Sequence, residues 1–499
     1  MPGEAQKGLS FVELPIFERG APGRTAASIA ALDVPDVDAR TALGELHRAE
    51  PAHLPEVSEP EAFRHFVRLS QQNFSIDTQF YPLGSCTMKF NPKVNEWAAR
   101  LDGFARLHPL TPDHLAQGAL ELMVRLEALL AEIVGMDGVS LQPAAGAQGE
   151  LTGLMMIRAY HHDKGRAPRK VFIPESAHGT NPASCALNGF EAVTFPAGSR
   201  GVVEASTLAS ALAEAGDDVA GLMITNPNTL GLYESDMPEI TRLVHEKGGL
   251  VYGDGANMNA VLGRARPGDV GVDVMQYNLH KTFTTPHGGG GPGSGPVAFK
   301  KILEPFQPSP VVRRDGDRFL VDRERPKTVG RVRSFLGNFG MMVRAYTYIR
   351  ELGPDGLKAV SDMAVLNANY LAARLSKHYP IAFSTPPLHE AVFSDKELEG
   401  STSVKTLDLA KRLIDYGFHP PTVYFPLVVR GALMIEPTET ETKQTIDGFV
   451  DAMVAIKKEA QEQPEMVKSA PHLTRLGRLD EARAARKPRL RWSPAESGG

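Results

Sequence analysis

An apolar run closes with the segment Tyr252-Gly253-Asp254-Gly255-Ala256-Asn257, and the carboxylate of Asp254 falls where that run ends. A second apolar run ends shortly before Lys281, 27 residues beyond Asp254. Both runs have the length and composition of a buried β-strand. Because the carboxyl ends of parallel strands share one edge of a sheet, we expect Asp254 and Lys281 to lie at the same site.

An acid and a lysine at strand ends are the pair that pyridoxal phosphate (PLP) enzymes need. The acid pairs with the pyridinium nitrogen and keeps it protonated, so that the ring can accept electrons. The lysine holds the aldehyde of the cofactor as a Schiff base until an amine substrate displaces it. The sequence therefore predicts PLP as the cofactor, with Asp254 and Lys281 as catalytic and cofactor-binding residues.

The fold class follows from the alternation of strands and helices in the middle of the chain. Helical segments such as 207–215 and 237–247 separate the apolar runs, which end near residues 174, 196, 226, 254, 278 and 300. This pattern predicts an α/β fold with a mostly parallel sheet covered by helices on both faces. A smaller α+β domain is predicted after residue 330, with helices at 341–352, 356–378 and 441–460 and strands at 381–384, 422–425 and 433–436.

Four segments are predicted along the chain: an N-terminal arm and helix (1–75), a PLP-binding large domain (76–330), a small C-terminal domain (331–465) and a basic tail (466–499). Residues 1–60 are rich in Pro, Ala and charge, and an extended arm of this kind suits an oligomer that wraps a partner. A helix predicted at 61–72 places Phe63, Phe66 and Val67 on one face. The tail carries eight Lys/Arg against three Asp/Glu from residue 468, which fits either a solvated tail or contact with an acidic partner.

Composition excludes several classes of protein. The 499 residues carry a formal net charge of −5, so we expect neither nucleic acid nor a membrane as a partner. The opening residues lack the layout of a secretory signal, and two cysteines cannot build a disulfide framework, so we expect a cytoplasmic protein. No Cys/His cluster has the spacing of a metal site, and none is predicted.

A phosphate seat is predicted at the start of a helix near residue 146. Ala145, Gly146 and Gln148 lie where small residues leave the first backbone N–H groups of the helix free. A small-residue helix cap packed on the sheet is the competing interpretation. With Asp254 and Lys281 later in the chain, the segment is predicted to bind the phosphate of PLP.

Further side chains fall at strand ends or beside the lysine. His178 is predicted to stack on one face of the pyridine ring, or else to cap a helix, and Ala256 is small enough to lie against the other face. Asn226 could reach the cofactor or could form a plain Asx/Pro turn. His280 and His287 could transfer protons, and the sequence does not choose between them.

Two loops complete the candidate site. A glycine-rich run at 288–293 after the lysine favours a wall of the active site over a flexible hairpin. Cys86 lies in a Pro/Gly/Ser/Thr loop, where it is either a buried structural thiol or an oxidisable one near the site.

Several motifs together resemble the glycine cleavage system P-protein, in the form of the catalytic subunit 2 of its two-subunit type. The resemblance covers nearly the whole chain, and many of its motifs are long. They are YPLGSCTMKFNP (81–92), GAQGE (146–150), SAHGTNPAS (176–184), TNPNTLGLYE (225–234), YGDGANMNA (252–260), NLHKTF (278–283), TPHGGGGPG (285–293), GNFG (337–340), DYGFHPPTVYFP (415–426), EPTETE (436–441) and ARKPRLRW (485–492).

The resemblance implies a fold-type-I PLP enzyme (the aspartate aminotransferase type) that decarboxylates glycine. It matches Lys281 to the Schiff-base lysine, Asp254 to the pyridinium partner, His178 to the stacking histidine and Ala256 to the residue opposite. It also implies transfer of the aminomethyl group to the lipoyl arm of the H-protein, and subunit 1 as a partner. Phe90 stands where the family usually has tyrosine, with no role that we can name.

Two alternatives stay open at this point. The chain could be another PLP enzyme of the same fold, such as an aminotransferase or a cysteine desulfurase. It could also be a non-catalytic scaffold subunit, although Lys281 together with Asp254 argues against that. A further possibility, compatible with the main prediction, is a chain that binds PLP but is inactive without subunit 1.

Overall fold

The computed structural model describes residues 10–28, 30–50, 52, 54–288 and 293–493. Two compact units divide the chain: a larger one of residues 76–413 and 418–468, and a smaller one of residues 1–75, 414–417 and 469–499. The four segments predicted from the sequence stay a prediction. In the described part of the chain, no helix is long and apolar enough to cross a membrane.

A seven-stranded sheet forms the centre of the larger unit. Its order is β1-β7-β6-β5-β4-β2-β3. Strands β3, β2, β4, β5 and β6 run parallel, and β7 is antiparallel to both β6 and β1. The predicted mostly parallel sheet is confirmed, although β1 was not anticipated. The strands are β1 Gly138–Ser140, β2 Lys170–Pro174, β3 Glu191–Phe195, β4 Val219–Thr225, β5 Leu250–Gly255, β6 Val274–Tyr277 and β7 Val297–Phe299.

Helices cover both faces of this sheet. On one face α5 packs through Leu126 and Leu130, and on the other α6 packs through Leu154 against Tyr252 of β5. Burial from both sides explains why β4 and β5 do not alternate apolar and polar residues and carry their polar side chains only near their carboxyl ends. The α-helices of the chain are α1 Ala39–Leu43, α2 Glu59–Gln71, α3 Lys93–Ala99, α4 Asp102–Ala105, α5 Gln117–Val134, α6 Gly146–Asp163, α7 Thr180–Leu187, α8 Ala205–Ala215, α9 Met237–Glu246, α10 Phe339–Leu375, α11 Lys396–Thr402, α12 Thr406–Asp415, α13 Lys443–Glu462, α14 Pro464–Lys468 and α15 Glu481–Arg486.

A three-stranded antiparallel sheet, ordered β10-β12-β11, forms a second layer of the larger unit. Its strands are β10 Ala391–Ser394, β11 Thr422–Val423 and β12 Ala432–Ile435. The predicted strand at 381–384 is wrong, because only Ile381 pairs, in a single bridge to Phe393. This segment lies alongside β10, which the sequence did not predict.

Two other elements differ from the prediction. The helices expected at 341–352 and 356–378 are joined in α10, with a kink at Gly353, whose φ is 63° and which precedes Pro354. The chain also forms a charged hairpin of β8 Val311–Asp315 and β9 Arg318–Asp322. The sequences of its strands, VVRRD and RFLVD, lack the apolar/polar alternation by which a strand is recognised.

In the smaller unit, the apolar face predicted for α2 is exposed. Phe63 is 69% exposed and Phe66 is 61% exposed, whereas His65 on the opposite side is buried beside Glu13. Ser58 and Glu61 form a capping box that fixes where the helix begins. The smaller unit therefore leaves aromatic side chains of α2 uncovered.

Lys89 is a buried cation of the larger unit, and its loss should be costly. Its Nζ donates to Asn259 Oδ1 (2.7 Å), Glu439 Oε1 (2.8 Å) and Tyr348 Oη (3.2 Å). We expect Lys89→Met to lower the free energy of unfolding by about 3–5 kcal/mol, since it leaves the carboxylate of Glu439 without its cation. The measurement is urea denaturation, with Lys93→Met as the control.

Lys93 suits this comparison because its ion pair with Asp77 is exposed on both sides. An exposed pair contributes about 0–1 kcal/mol, so the control should stay close to the parent protein. A Lys89→Met protein as stable as the Lys93→Met protein would contradict the assignment of Lys89 to a buried ion pair.

Candidate active site

A cavity of 380 Å³ lies beyond the carboxyl ends of β4, β5 and β6. This is the edge at which parallel α/β sheets bind ligands. The first turn of α6 and the loop at 84–86 close it from other directions. The residues that line it are Gly84, Ser85, Cys86, Gly146, Ala147, Glu150, His178, Thr180, Thr225, Thr229, Asp254, Ala256, Asn257, Gln276, Asn278, Lys281, Thr422 and Phe425.

Lys281 enters the cavity from a turn after β6. Its Nζ donates to the backbone carbonyl of Ser85 at 2.9 Å. His280 and His287 lie beside it, with ring centroids 5.4 Å apart. Burial lowers the pKa of each histidine to about 4, and the positive charge of Lys281 adds to the effect. Near pH 7 both rings are therefore neutral.

Asp254 lies at the end of β5 with its carboxylate held in place. Oδ1 accepts from Nε2 of Gln276 (2.6 Å) and from the backbone N–H of Ala256 (2.9 Å), and Oδ2 faces Nδ2 of Asn181 at 3.4 Å. These donors fix the orientation of the carboxylate. Asp254 therefore presents an oriented carboxyl group to the cavity.

His178 lines the cavity from the loop between β2 and α7. Its Nδ1 lies 2.8 Å from the hydroxyl of Thr180 and 3.2 Å from the backbone N of the same residue, so that Thr180 fixes the orientation of the ring. Partial burial lowers the pKa of His178, although Asp254 opposes this change. The structure therefore brings His178, Asp254, Ala256 and Lys281 to one cavity, as predicted.

The first turn of α6 closes one end of the cavity. Ala145 is its N-cap, and Gly146 lies so close to Asn278 that a Cβ there would be 2.8 Å from Oδ1. The side chain of Gln148 is already engaged, because it accepts from the N–H of Ala144 (2.7 Å) and donates to the carbonyl of Val332 (2.5 Å). Gly146 lines the cavity, whereas Ala145 and Gln148 lie beside it.

These residues fit PLP. Among the described residues, four that line the cavity have a buried polar atom without a hydrogen-bond partner: Thr225 Oγ1, Asn257 Oδ1, Gln276 Oε1 and Asn278 Oδ1. Buried polar atoms normally have partners, so a polar ligand is expected here. The cavity also offers an amine, a fixed carboxylate and a helix N-terminus, which match the aldehyde, ring nitrogen and phosphate of the cofactor.

Comparison with known proteins decides the family. The chain is 56% identical over 479 residues to the probable glycine dehydrogenase (decarboxylating) subunit 2 of Halalkalibacterium halodurans, covering 96% of this chain and 97% of that protein. The corresponding protein of Desulforamulus reducens is 55% identical over 481 residues, covering 96% and 99%. The chain belongs to the glycine dehydrogenase (decarboxylating) subunit 2 family.

Other comparisons agree with this family. A model of the glycine dehydrogenase C-terminal domain matches residues 360–472. A crystal structure of glycine decarboxylase (P-protein) of the glycine cleavage system, in inhibitor-bound form, superposes with a TM-score of 0.70 at 21% identity, covering 84% of this chain and 94% of that one. A structure of Oryza sativa TDC with PLP and tryptamine gives a TM-score of 0.64 at 14% identity, covering 86% and 97%. The fold is thus that of the fold-type-I PLP enzymes.

Asn226 does not line the cavity of this family member. Its side chain accepts from the backbone N–H of Glu234 (3.0 Å) and donates to the carbonyl of the same residue (3.2 Å). These bonds close a turn, whereas Thr225 and Thr229 on either side line the cavity. The position favours the turn interpretation, and contact of Asn226 with a cofactor stays a prediction.

Cys86 combines features of both interpretations. It lines the cavity and is half-buried, and burial raises the pKa of its thiol to about 11. The thiol is therefore protonated near neutral pH and weakly nucleophilic.

The central part of the predicted glycine wall, residues 289–292, lies outside the described residues.

Sequence reasoning missed Glu150, which connects two of the predicted residues. Its carboxylate accepts from Thr180 Oγ1 (2.7 Å), Asn181 Nδ2 (3.0 Å) and Ser184 Oγ (3.3 Å). Burial, followed by the charge of Asp254, raises the pKa of Glu150 to about 7. Glu150 therefore holds the start of α7, which follows His178. Asn181 of the same helix also faces Asp254. A single acid among the small and apolar residues of the first half of α6 was the available signal.

A second group was missed behind the loop at 84–86. His389, Glu390 and Glu436 are fully buried, and one side-chain N or O atom from each lies within 4.8 Å of the others. Nothing in their sequence spacing joins His389 and Glu390 to Glu436. The antiparallel pairing of β10 with β12 brings them together.

Proposed function

We propose that this chain is the PLP-binding catalytic subunit of a glycine dehydrogenase (decarboxylating) and that Lys281 holds the cofactor. The observation that carries the proposal is the meeting of Lys281, Asp254, His178 and Ala256 in one cavity. It occurs in a chain whose relatives, at 54–56% identity, are named as subunit 2 of this enzyme. A scaffold that had lost its activity would have no need of this set of residues.

Each residue has a task in this account. When bound, PLP supplies a protonated ring that accepts the electron pair left by departing carbon dioxide. Asp254 would hold the proton on the ring nitrogen, and Gln276 and the N–H of Ala256 fix its carboxylate. His178 and Ala256, which both line the cavity, would confine the ring. The backbone carbonyl of Ser85 accepts a hydrogen bond from the free amine of Lys281.

The charges of the cavity favour loss of the substrate carboxylate. No arginine lines the cavity in the part of the chain that the structure describes, and Lys281 is its one cationic Lys or Arg side chain. A tight arginine clamp would stabilise the ground-state carboxylate and so oppose decarboxylation. Glycine then needs only to be oriented with its Cα–carboxylate bond perpendicular to the ring, which is a positioning task.

The acceptor of the remaining fragment is the lipoyl disulfide of the H-protein in this proposal. The bond from Cα to the carboxylate breaks, the carbon bonds to one sulfur, the S–S bond breaks and the second sulfur takes a proton. Carbon is thereby oxidised and the disulfide reduced, with no dinucleotide required. A cytoplasmic location is part of the same proposal.

Subunit 1 is the proposed partner, and two apolar surfaces support this. In the larger unit, a cavity of 770 Å³ is lined by Phe104, Leu110 and Leu336, together with Arg323 and Arg331. In the smaller unit, Phe63 and Phe66 of α2 are exposed. Contiguous exposed apolar surface of this kind marks sites of protein association.

Glycine-dependent exchange of labelled bicarbonate into the carboxyl group of glycine tests the proposal. We expect exchange by the chain with subunit 1, PLP and the H-protein, and a marked loss when this chain is omitted. Aminotransferases and cysteine desulfurases release no carbon dioxide, so amino transfer to a 2-oxo acid without exchange would favour that alternative. Absence of both activities, with PLP unbound, would favour the scaffold.

A further inference from the structure

The turn at Ser85–Thr87 forms one wall of the cavity and is strained. Ser85 has φ 62° and Thr87 has φ 48°, although neither is glycine. Side chains other than glycine rarely adopt this left-handed conformation, which persists only where the surroundings impose it. The carbonyl of Ser85 is also the acceptor of the Lys281 amine. Whatever imposes the conformation of this turn therefore also positions the amine.

Two buried glutamates hold the strained residues. The N–H of Ser85 donates to Oε2 of Glu390 at 2.6 Å. The N–H and hydroxyl of Thr87 donate to Oε2 (2.8 Å) and Oε1 (2.6 Å) of Glu436. Both carboxyl groups are fully buried. Each strained residue of the turn thus has a dedicated carboxyl acceptor.

The glutamates face each other across the small sheet. Ala391 of β10 pairs with Ile435 of β12, and the next antiparallel position joins Glu390 to Glu436. Two ionised carboxylates directly opposite each other in a buried site repel strongly. Burial and this mutual repulsion raise the pKa of Glu390 well above its ordinary value, and burial raises the pKa of Glu436 to about 7. Above about pH 7, where Glu436 is ionised, the pair therefore keeps one proton.

The hydrogen bonds indicate where that proton lies. Both oxygens of Glu436 accept from Thr87, as an ionised carboxylate does. Within the described residues, Oε1 of Glu390 has no hydrogen-bond partner, so a proton there leaves the bond from Ser85 to Oε2 intact. Glu390 is then the acid and Glu436 the carboxylate.

Other titratable groups around the pair agree with a single negative charge. Lys281 is the cation that offsets it, and burial lowers the pKa of His389 to about 3, so that its ring is neutral. Burial also keeps the thiol of Cys86 protonated. The charge of Glu439 acts on Glu436 but is itself paired with Lys89.

We propose that Glu390 and Glu436 are positioning residues, which share one proton and hold the Ser85–Thr87 turn in the conformation that places the Ser85 carbonyl against Lys281. This role rests on the proposed function of Lys281. It can nevertheless be tested without cofactor or glycine, so that its failure and the failure of the proposed function are distinguishable.

Cys86 provides the first test, because it lies between the two strained residues and Cys185 is fully buried. In the full chain without cofactor, we expect Glu390→Ala to speed the reaction of Cys86 with a thiol reagent about tenfold or more, since it removes the acceptor of the Ser85 N–H. Glu390→Gln keeps that acceptor and matches a neutral acid, so its rate should stay within about twofold of the parent.

Glu234→Ala is the matched control for this labelling. Glu234 is also buried and accepts from a backbone N–H, that of Val203 (2.7 Å), but no contact joins its carboxylate to the turn within the described residues. Its removal should leave the rate at which Cys86 reacts with the thiol reagent unchanged. An unchanged rate in Glu390→Ala, or equal acceleration in Glu234→Ala, would overturn the positioning role.

The shared proton has its own test. A carboxyl group with a raised pKa stabilises the folded state below its ordinary pKa, and this contribution is lost as pH rises through the raised value. Between about pH 7 and pH 8, where Glu436 is ionised, Glu390→Gln should therefore reduce the number of protons released on unfolding by about one, as obtained from the slope of stability against pH. Equal slopes for the parent and for Glu390→Gln would show that Glu390 is ionised in the folded chain.

Discussion

Lys281→Ala should abolish glycine-dependent bicarbonate exchange, with a loss of at least about a thousandfold. No other amine reaches the cavity in the described part of the chain, so nothing could replace the bond between the lysine and the cofactor. The visible absorbance of that bond should disappear as well. Lys281→Arg should be equally inactive, because a guanidinium keeps the charge but cannot form the bond. Exchange and absorbance, measured on the complex with subunit 1, check both variants.

Lys300→Ala is the matched control. Lys300 follows β7, and its Nζ donates to the backbone carbonyl of Gly135 (2.7 Å), much as that of Lys281 donates to Ser85. It does not line the cavity. Its removal should therefore leave exchange near the parental rate. Retained exchange in Lys281→Ala would refute the assignment of this lysine.

Asp254→Asn should reduce exchange by about a hundredfold or more. The amide can still accept from the N–H of Ala256, so the shape of the site is kept. It cannot hold a proton on the ring nitrogen, however, and the ring then accepts electrons poorly. Because the defect concerns the chemical step, the rate constant should fall more than the apparent affinity for glycine, as measured by initial rates at varied glycine.

Asp273→Asn provides the comparison for this prediction. Asp273 is a buried aspartate that accepts from the backbone N–H of Val251 (2.8 Å) and pairs with His245 (2.7 Å). It precedes β6, at the opposite end of the strand from the cavity. Its substitution should cost stability without a selective loss of the rate constant. Equal kinetic effects of the two substitutions would argue that Asp254 is only structural.

The predictable part of the site is the part whose residues end buried strands. Asp254 and Lys281 each follow an apolar run, and parallel pairing of β5 with β6 brings such ends to one edge. The same rule placed His178 after β2. Local sequence was sufficient for these residues because parallel pairing determines which strand ends lie side by side.

The unpredicted part depends on contacts between distant segments. Glu390 and Glu436 meet the turn at Ser85–Thr87 only because β10 and β12 pair antiparallel behind it, some 300 residues further along the chain. Glu150 ends the motif GAQGE, but its role depends on hydrogen bonds from three side chains of α7, which lies later in the chain. The segment expected to form a strand at 381–384 makes only one bridge, from Ile381 to Phe393 of β10, which local sequence could not foresee.

Borohydride reduction of the PLP-loaded complex with subunit 1, followed by peptide mapping, tests the central claim most directly. Reduction fixes the cofactor to the amine that held it, so the modified peptide identifies that residue. The account predicts one modified lysine, Lys281, and loss of this modification when glycine is added before reduction. Modification of a different lysine, or of a residue in subunit 1 alone, would contradict it.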